Sequence, residues 1–168
     1  LPGVDGSRGP MTDHRQLAQD KRPARIAGMF DAIAPRYDLL NRVLSAGLDV
    51  RWRARAIRSL ALRGGETLLD LCTGTADLAI AATGEPPAAA RVVGIDFSGE
   101  MLRQGAVKLQ ARGLDARIAL VQGDAMRIPL QDGSVDGAMV AFGIRNVQEP
   151  DVTFGEVMRV LRPGGRFA

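Results

Sequence analysis

The sequence predicts an α/β domain, a doubly wound and mostly parallel sheet behind an N-terminal helical cap, and three observations carry that expectation. Short, largely apolar, partly β-branched runs at 67–71, 91–95, 118–121 and 135–141 have the length and composition of strands. Helical stretches at 76–83, 98–112 and 151–161 separate them, and alternation of strand and helix builds a parallel sheet covered on both faces. Acids stand in or just after the first three runs, Asp70, Asp96 and Asp124, where open α/β sheets receive nucleotides.

A chain of 168 residues is one domain in size. Residues 1–10 are rich in Gly, Pro and charge and precede Met11, a natural start, so 1–12 read as a disordered segment or an extension. Residues 13–64 form the cap, helical in pattern and broken at Pro23, Pro35 and Gly47. At helical spacing Arg51, Arg55 and Arg58 share one face of its last helix, while Val50, Ala54, Ile57 and Ala61 share the other. The arginine row is either a solvated face or an attraction for anionic headgroups or phosphate.

Residues 65–168 make the core. Ser98 is placed to cap its helix, whose buried face would carry Leu102, Ala106 and Leu109. Pro163-Gly164-Gly165 reads as a turn into Arg166-Phe167-Ala168, the first residues of a fifth strand. Ending there, the chain is expected to lack the last strands of its sheet.

Composition removes several classes of function. Apolar residues at 46% and charged residues at 24% belong to a globular domain, and no run approaches the roughly 20 apolar residues of a membrane span. The expected location is cytoplasmic, with peripheral membrane contact at most. One cysteine, Cys72, and one histidine, His14, exclude an internal disulfide and give no basis for a zinc cluster or a Ser-His-Asp triad. A net charge of +3 with 4% aromatics does not describe a nucleic-acid surface, so no such partner is expected.

The strand ending in Asp70-Leu71 runs into Cys72-Thr73-Gly74-Thr75-Ala76-Asp77 and then a helix. Small residues there admit a ligand to the backbone, and the helix N-terminus offers N–H groups. Asp96 follows Gly74 by 22 residues, a spacing that suits a carboxylate accepting ribose hydroxyls. Asp124 follows the third strand, where an adenine amino group could donate to it. Each acid alone could be a turn or capping residue; three at successive strand ends are much more specific. The G-x-G-x-x-G fingerprint is absent and an acid opens the loop, which would repel a pyrophosphate and argues against NAD. A ligand with a cationic amino-acid end fits better.

D-L-C-T-G-T-A-D at 70–77, G-I-D-F-S-x-x-M-L at 94–102, Q-G-D-A at 122–125 and R-V-L-R-P-G-G at 159–165 resemble the motif series of class I S-adenosylmethionine (SAM) methyltransferases of Rossmann-like fold. F-D-A-I-A-P-R-Y-D-L-L-N-R-V-L-S at 30–45, with Trp52 beyond, and A-F-G-I-R-N-V at 141–147 are similar to the UbiE-type ubiquinone/menaquinone methyltransferases. The resemblance implies SAM as cofactor, with Gly74 and Thr75 at its methionine end, Asp70 opening that loop, Asp96 on the ribose, and Asp124 and Ala125 at the adenine. Ala141 matches a cofactor-touching position, although a buried core alanine would look the same. The sequence departs from the pattern at Cys72 and Ala76, where small or glycine residues are usual, and at Asp49, where histidine is common.

The same resemblance implies C-methylation of a reduced prenylated quinol, demethylmenaquinol to menaquinol or a ubiquinone precursor. Arg145 would hold the ring oxygen as phenolate, with Asn146 orienting it; Tyr37 and Asn41 would close over the cofactor, and Phe30 and Trp52 would meet the ring or prenyl tail. Ordinary alternatives are a salt-bridging arginine and core aromatics. A lipid quinol and a membrane surface are the implied partners, and a homodimer is compatible with the sequence. Two other readings stay open: methylation of another small molecule, and a SAM-binding protein without catalysis.

Overall fold

A computed structural model describes residues 48–84 and 87–168, together with residue 28. Its elements are α1 (Leu48–Ser59), β1 (Thr67–Leu71), α2 (Asp77–Gly84), β2 (Arg91–Asp96), α3 (Gly99–Arg112), β3 (Ile118–Gln122), β4 (Val135–Val140), a 3-10 turn (Gly143–Asn146), α4 (Pro150–Val160) and β5 (Leu161–Phe167). The strands form one sheet in the order β3-β2-β1-β4-β5, and every pairing is parallel. Strand order reverses at β1, so the crevice beyond its C-terminal end is the switch point of the sheet. The extension and the rest of the cap, with Phe30, Tyr37 and Asn41, lie outside the described residues.

Period-two alternation explains why both faces must be covered. Leu68 enters a core with Leu78, Ala79, Ala82, Val92 and Leu109, whereas its neighbour Leu69 enters a second core with Ile95, Ala138, Val157 and Val160. The first core packs α1, α2 and α3 against the sheet; the second packs α4.

Ser98 caps α3 as its position predicts, its Oγ accepting from Met101 N at 3.2 Å. The buried face of that helix differs from expectation: Met101, Leu102, Gly105 and Leu109 are buried and Ala106 is exposed. Gly105 takes the contact because a Cβ there would stand 3.0 Å from Leu120 Cδ1 and 3.3 Å from the carbonyl carbon of Thr75. The missing side chain lets α3 ride directly on β3 and the loop after β1.

Two further expectations are corrected. In α1 the arginine row is exposed, but so are Val50 and, beyond the helix end, Ala61, and the inward face carries Asp49, Arg53 and Ile57 instead. An i,i+4 ion pair at 2.6 Å between Asp49 and Arg53 lets that face turn inward. β5 begins at Leu161, not Arg166: Leu161 pairs with Val135, then register jumps so that Arg166 pairs with Gly137. Pro163-Gly164-Gly165 is absorbed as an irregularity within the strand, since proline has no N–H for the ladder. Arg166 Nη1 then donates to the carbonyls of Leu60 and Ala61 at 2.5 and 2.6 Å, satisfying acceptors where α1 ends.

Candidate functional site

The loop after β1 is built around two carboxylates that accept from backbone and side chain. Asp70, 1% exposed, accepts at one oxygen from Thr73 Oγ1 (2.6 Å) and Ala79 N (3.1 Å), the latter in the first turn of α2. Burial pushes its pKa up to about 7, with Asp96 adding to the rise and the two hydrogen bonds opposing it. Asp96 accepts from Gly74 N at 2.8 Å and from Ser98 N at 2.9 Å, tying the loop to the start of α3. Both bonds to Asp70 fall on Oδ2, so neither of them uses its other oxygen.

The loop is also strained. Cys72 (φ 55°) and Ala76 (φ 67°) are both left-handed, as is Gly74 between them. For a non-glycine residue that conformation costs about 1–2 kcal/mol. These are the two positions where the sequence departs from the small or glycine pattern, and the structure shows the conformation that pattern serves. The turn after β4 repeats the feature at Phe142 (φ 60°) and packs on the first loop: a Cβ on Gly143 would run into Cys72.

Asp124 lies at the same sheet edge beyond β3, exposed, with Met126 N donating to it at 2.8 Å. The Cys72 thiol is pushed up to about 12, first by burial and then by the charges of Asp96, Asp70 and Asp124. The three strand-end acids therefore all act electrostatically on Cys72. Burial and the surrounding acids thus disfavour the thiolate, the form in which a cysteine attacks.

A cavity of about 60 Å³ opens beside this loop, lined among others by Asp70, Gly74, Thr75, Asp77, Ala141, Phe142 and Arg53. Of the predicted cofactor residues it gathers Asp70, Gly74, Thr75 and Ala141. Asp96 reaches it through the Gly74 N–H, while Asp124 and the half-buried Ala125 lie further along the edge. Arg145 and Trp52 stand at the rim: the Trp52 and Phe142 rings meet edge-on at 5.9 Å, and the Arg145 guanidinium lies 5.8 Å from the centre of the Phe142 ring. Asn146 is half-buried in the 3-10 turn.

Sequence reasoning missed Arg53, Asp77, Lys108 and Phe142. Arg53 donates to Asp49 and stands 3.2 Å from Asp77, which also binds Lys108 at 2.6 Å; Lys108 donates in turn to Thr75 Oγ1 at 2.9 Å. The Asp49/Arg53 spacing was the available signal for the first. Phe142 sits inside A-F-G-I-R-N-V, where only its neighbours drew attention. Among the described residues no group of His, Cys, Asp or Glu could hold a metal ion.

A parallel sheet whose three adjacent strands present acids around a tight loop and a helix N-terminus defines a nucleoside-binding domain of the doubly wound class. The chain belongs to the ubiE/COQ5 methyltransferase family, whose model matches residues 16–168. It is 44% identical over 150 residues to the Ubiquinone/menaquinone biosynthesis C-methyltransferase UbiE of Geobacter sp. (strain M21), covering 89% of this chain and 64% of that one. It is 47% identical over 139 residues to the Demethylmenaquinone methyltransferase of Thermus thermophilus, covering 83% and 62%. A SAM-dependent methyltransferase from Aquifex aeolicus shares the architecture at TM-score 0.58 and 26% identity, over 66% of this chain and 58% of that one. The chain thus spans less than two thirds of the length of the two curated relatives.

Proposed function

We propose that the chain binds SAM at the C-terminal edge of β1, β2 and β3 and serves C-methylation of a reduced prenylated quinol, demethylmenaquinol to menaquinol. The observation that carries the reading is that Asp70 and Asp96 both bond the loop after β1, through Thr73 Oγ1 and Gly74 N, with Asp124 following the adjacent strand β3, an acidic edge suited to a cationic nucleoside. The cavity, lined by Asp70, Gly74 and Thr75, would take the α-amino-acid head group of that nucleoside. Asp70 would face its ammonium, with Gly74 and Thr75 beside it, Asp96 would accept from the ribose, and Asp124 and Ala125 would meet the adenine along the open edge. When bound, this cofactor supplies an electrophilic methyl group.

The acceptor side is the rim after β4. Trp52 offers an apolar wall to the ring and tail, and Arg145 would hold the ring oxygen as phenolate, with Asn146 orienting it. Such a cation both lowers the phenol pKa and fixes the ring, and alignment alone is worth several kcal/mol. Tyr37, Asn41 and Phe30 would complete the enclosure from the cap. Among the described residues no helix is long and apolar enough to cross a membrane. Arg51, Arg55 and Arg58 are exposed on α1 beside Leu48, Val50 and Trp52, which are 42–54% exposed. That pairing of cations and apolar groups supports peripheral docking to an anionic surface, where a lipid quinol resides.

Equilibrium binding of SAM tests the cofactor reading, and methyl transfer to demethylmenaquinol compared with a benzoquinol precursor tests the acceptor. Transfer unchanged in Arg145→Ala would remove its assigned role, and absence of co-sedimentation with anionic vesicles would remove the docking.

A further inference from the structure

We propose that Arg53, from the cap helix α1, binds the α-carboxylate of the cofactor's amino-acid end. The inference rests on the reading that the cofactor is SAM. Its origin is a charge imbalance in the cavity: two of the lining side chains, Asp70 and Asp77, are acids, and Arg53 is the cation among the lining residues. An amino-acid head carries both charges, so an acidic wall alone leaves its carboxylate without a partner.

Arg53 is prepared for the task. Its side chain is only 19% exposed, so its donors act in a partly desolvated setting. Its contacts to Asp49 and Asp77 both use Nη2, and among the described residues Nε and Nη1 have no protein partner. Asp49 at 2.6 Å fixes the guanidinium from within its own helix, whereas Asp77 is the longer contact at 3.2 Å. Asp77 is held independently by Lys108 at 2.6 Å, so it keeps a cation if Arg53 turns toward a ligand. A carboxylate bound there would bridge α1 to the loop after β1, making the cap part of the cofactor site. Arginine suits this better than lysine because its planar fork offers two parallel donors.

The test measures equilibrium affinity of the full chain for three ligands: SAM, S-adenosylhomocysteine, and 5′-methylthioadenosine, which lacks the amino-acid end. Arg53→Met is expected to weaken the first two by about ten- to a hundredfold and the third by less than about twofold. Arg53→Lys, which keeps the charge and the Asp49 pair, is expected to lose several-fold on the first two only, and it carries the test if Arg53→Met melts without cooperativity. Equal losses on all three ligands would make Arg53 a purely structural tie, and no loss on any would make it irrelevant; either overturns the proposal. Wild-type affinity for 5′-methylthioadenosine equal to that for SAM would overturn it while leaving the nucleoside reading intact. Binding of none of the three would overturn both.

Discussion

The loop after β1 and the turn after β4 sit side by side at the same edge of the sheet, yet they present opposite kinds of surface. The first is buried, its acids tied into backbone N–H groups of Gly74, Ala79 and Ser98. The second exposes Phe142 at 55% and Arg145 beyond it, joined to Trp52 by ring contact alone. Both hold non-glycine residues in the left-handed region, so both are constrained in backbone. The difference teaches that rigid, hydrogen-bonded geometry holds the loop of strand-end acids, whereas the turn after β4 is an open apolar rim; the proposed function puts the cofactor on the first and the acceptor on the second.

The contact between the two loops is where the comparison breaks most readily. Gly143→Ala would drive a Cβ into Cys72 and is expected to cost about 2–3 kcal/mol in denaturant unfolding. Cys72→Gly in the same chain should restore most of it, since the double variant removes both the overlap and a left-handed side chain. Additive losses would show that the loops do not lean on each other.

Asp96→Ala strips the acceptor from two N–H groups, Gly74 and Ser98. It should lower stability by about 1–2 kcal/mol and weaken SAM at least about tenfold, read by unfolding and by binding isotherms. Asp70→Asn separates those two effects. Both hydrogen bonds to Asp70 meet one oxygen, which an amide retains, so the fold should persist while ammonium recognition is lost.

The pH dependence of stability follows from the same residue. Burial raises Asp70 from its ordinary 3.8 to about 7. The folded chain thus keeps a proton that the unfolded chain releases, and this acid makes stability fall as pH rises from about 4 to about 7, then level off. SAM affinity should move the other way and tighten from pH 6 to 8 as the carboxylate ionises. Thermal melts between about pH 4 and 7 should show a smaller decline in Asp70→Asn than in the parent chain.

The smallest effects mark the open rim. Trp52→Ala is expected to shift stability by less than about 0.5 kcal/mol and to leave SAM affinity unchanged, while lowering transfer to a quinol. Loss of SAM affinity in this variant would place the indole on the cofactor side instead.

Strand positions were legible because apolar runs and acids repeat at each β-to-loop junction: β1 is as read, and β2 ends at Asp96. α1 was misread by one step because propensity cannot foresee an ion pair turning a charged face inward. β5 was read too short because Pro163-Gly164-Gly165 marks a turn locally, whereas the sheet tolerates it as a register jump. In the site, acids at strand ends were readable one by one. Arg53 and Phe142 were not, since their roles arise only when the cap helix and the turn after β4 meet across the cavity.

The central claim is that the edge of β1, β2 and β3 grips a cationic nucleoside, and a binding isotherm of SAM against the chain and its Asp96→Asn and Asp124→Asn variants addresses it most directly. The account predicts saturable binding, weakened by each variant and absent for NAD. Binding that is equally tight in the parent chain and both variants would contradict it.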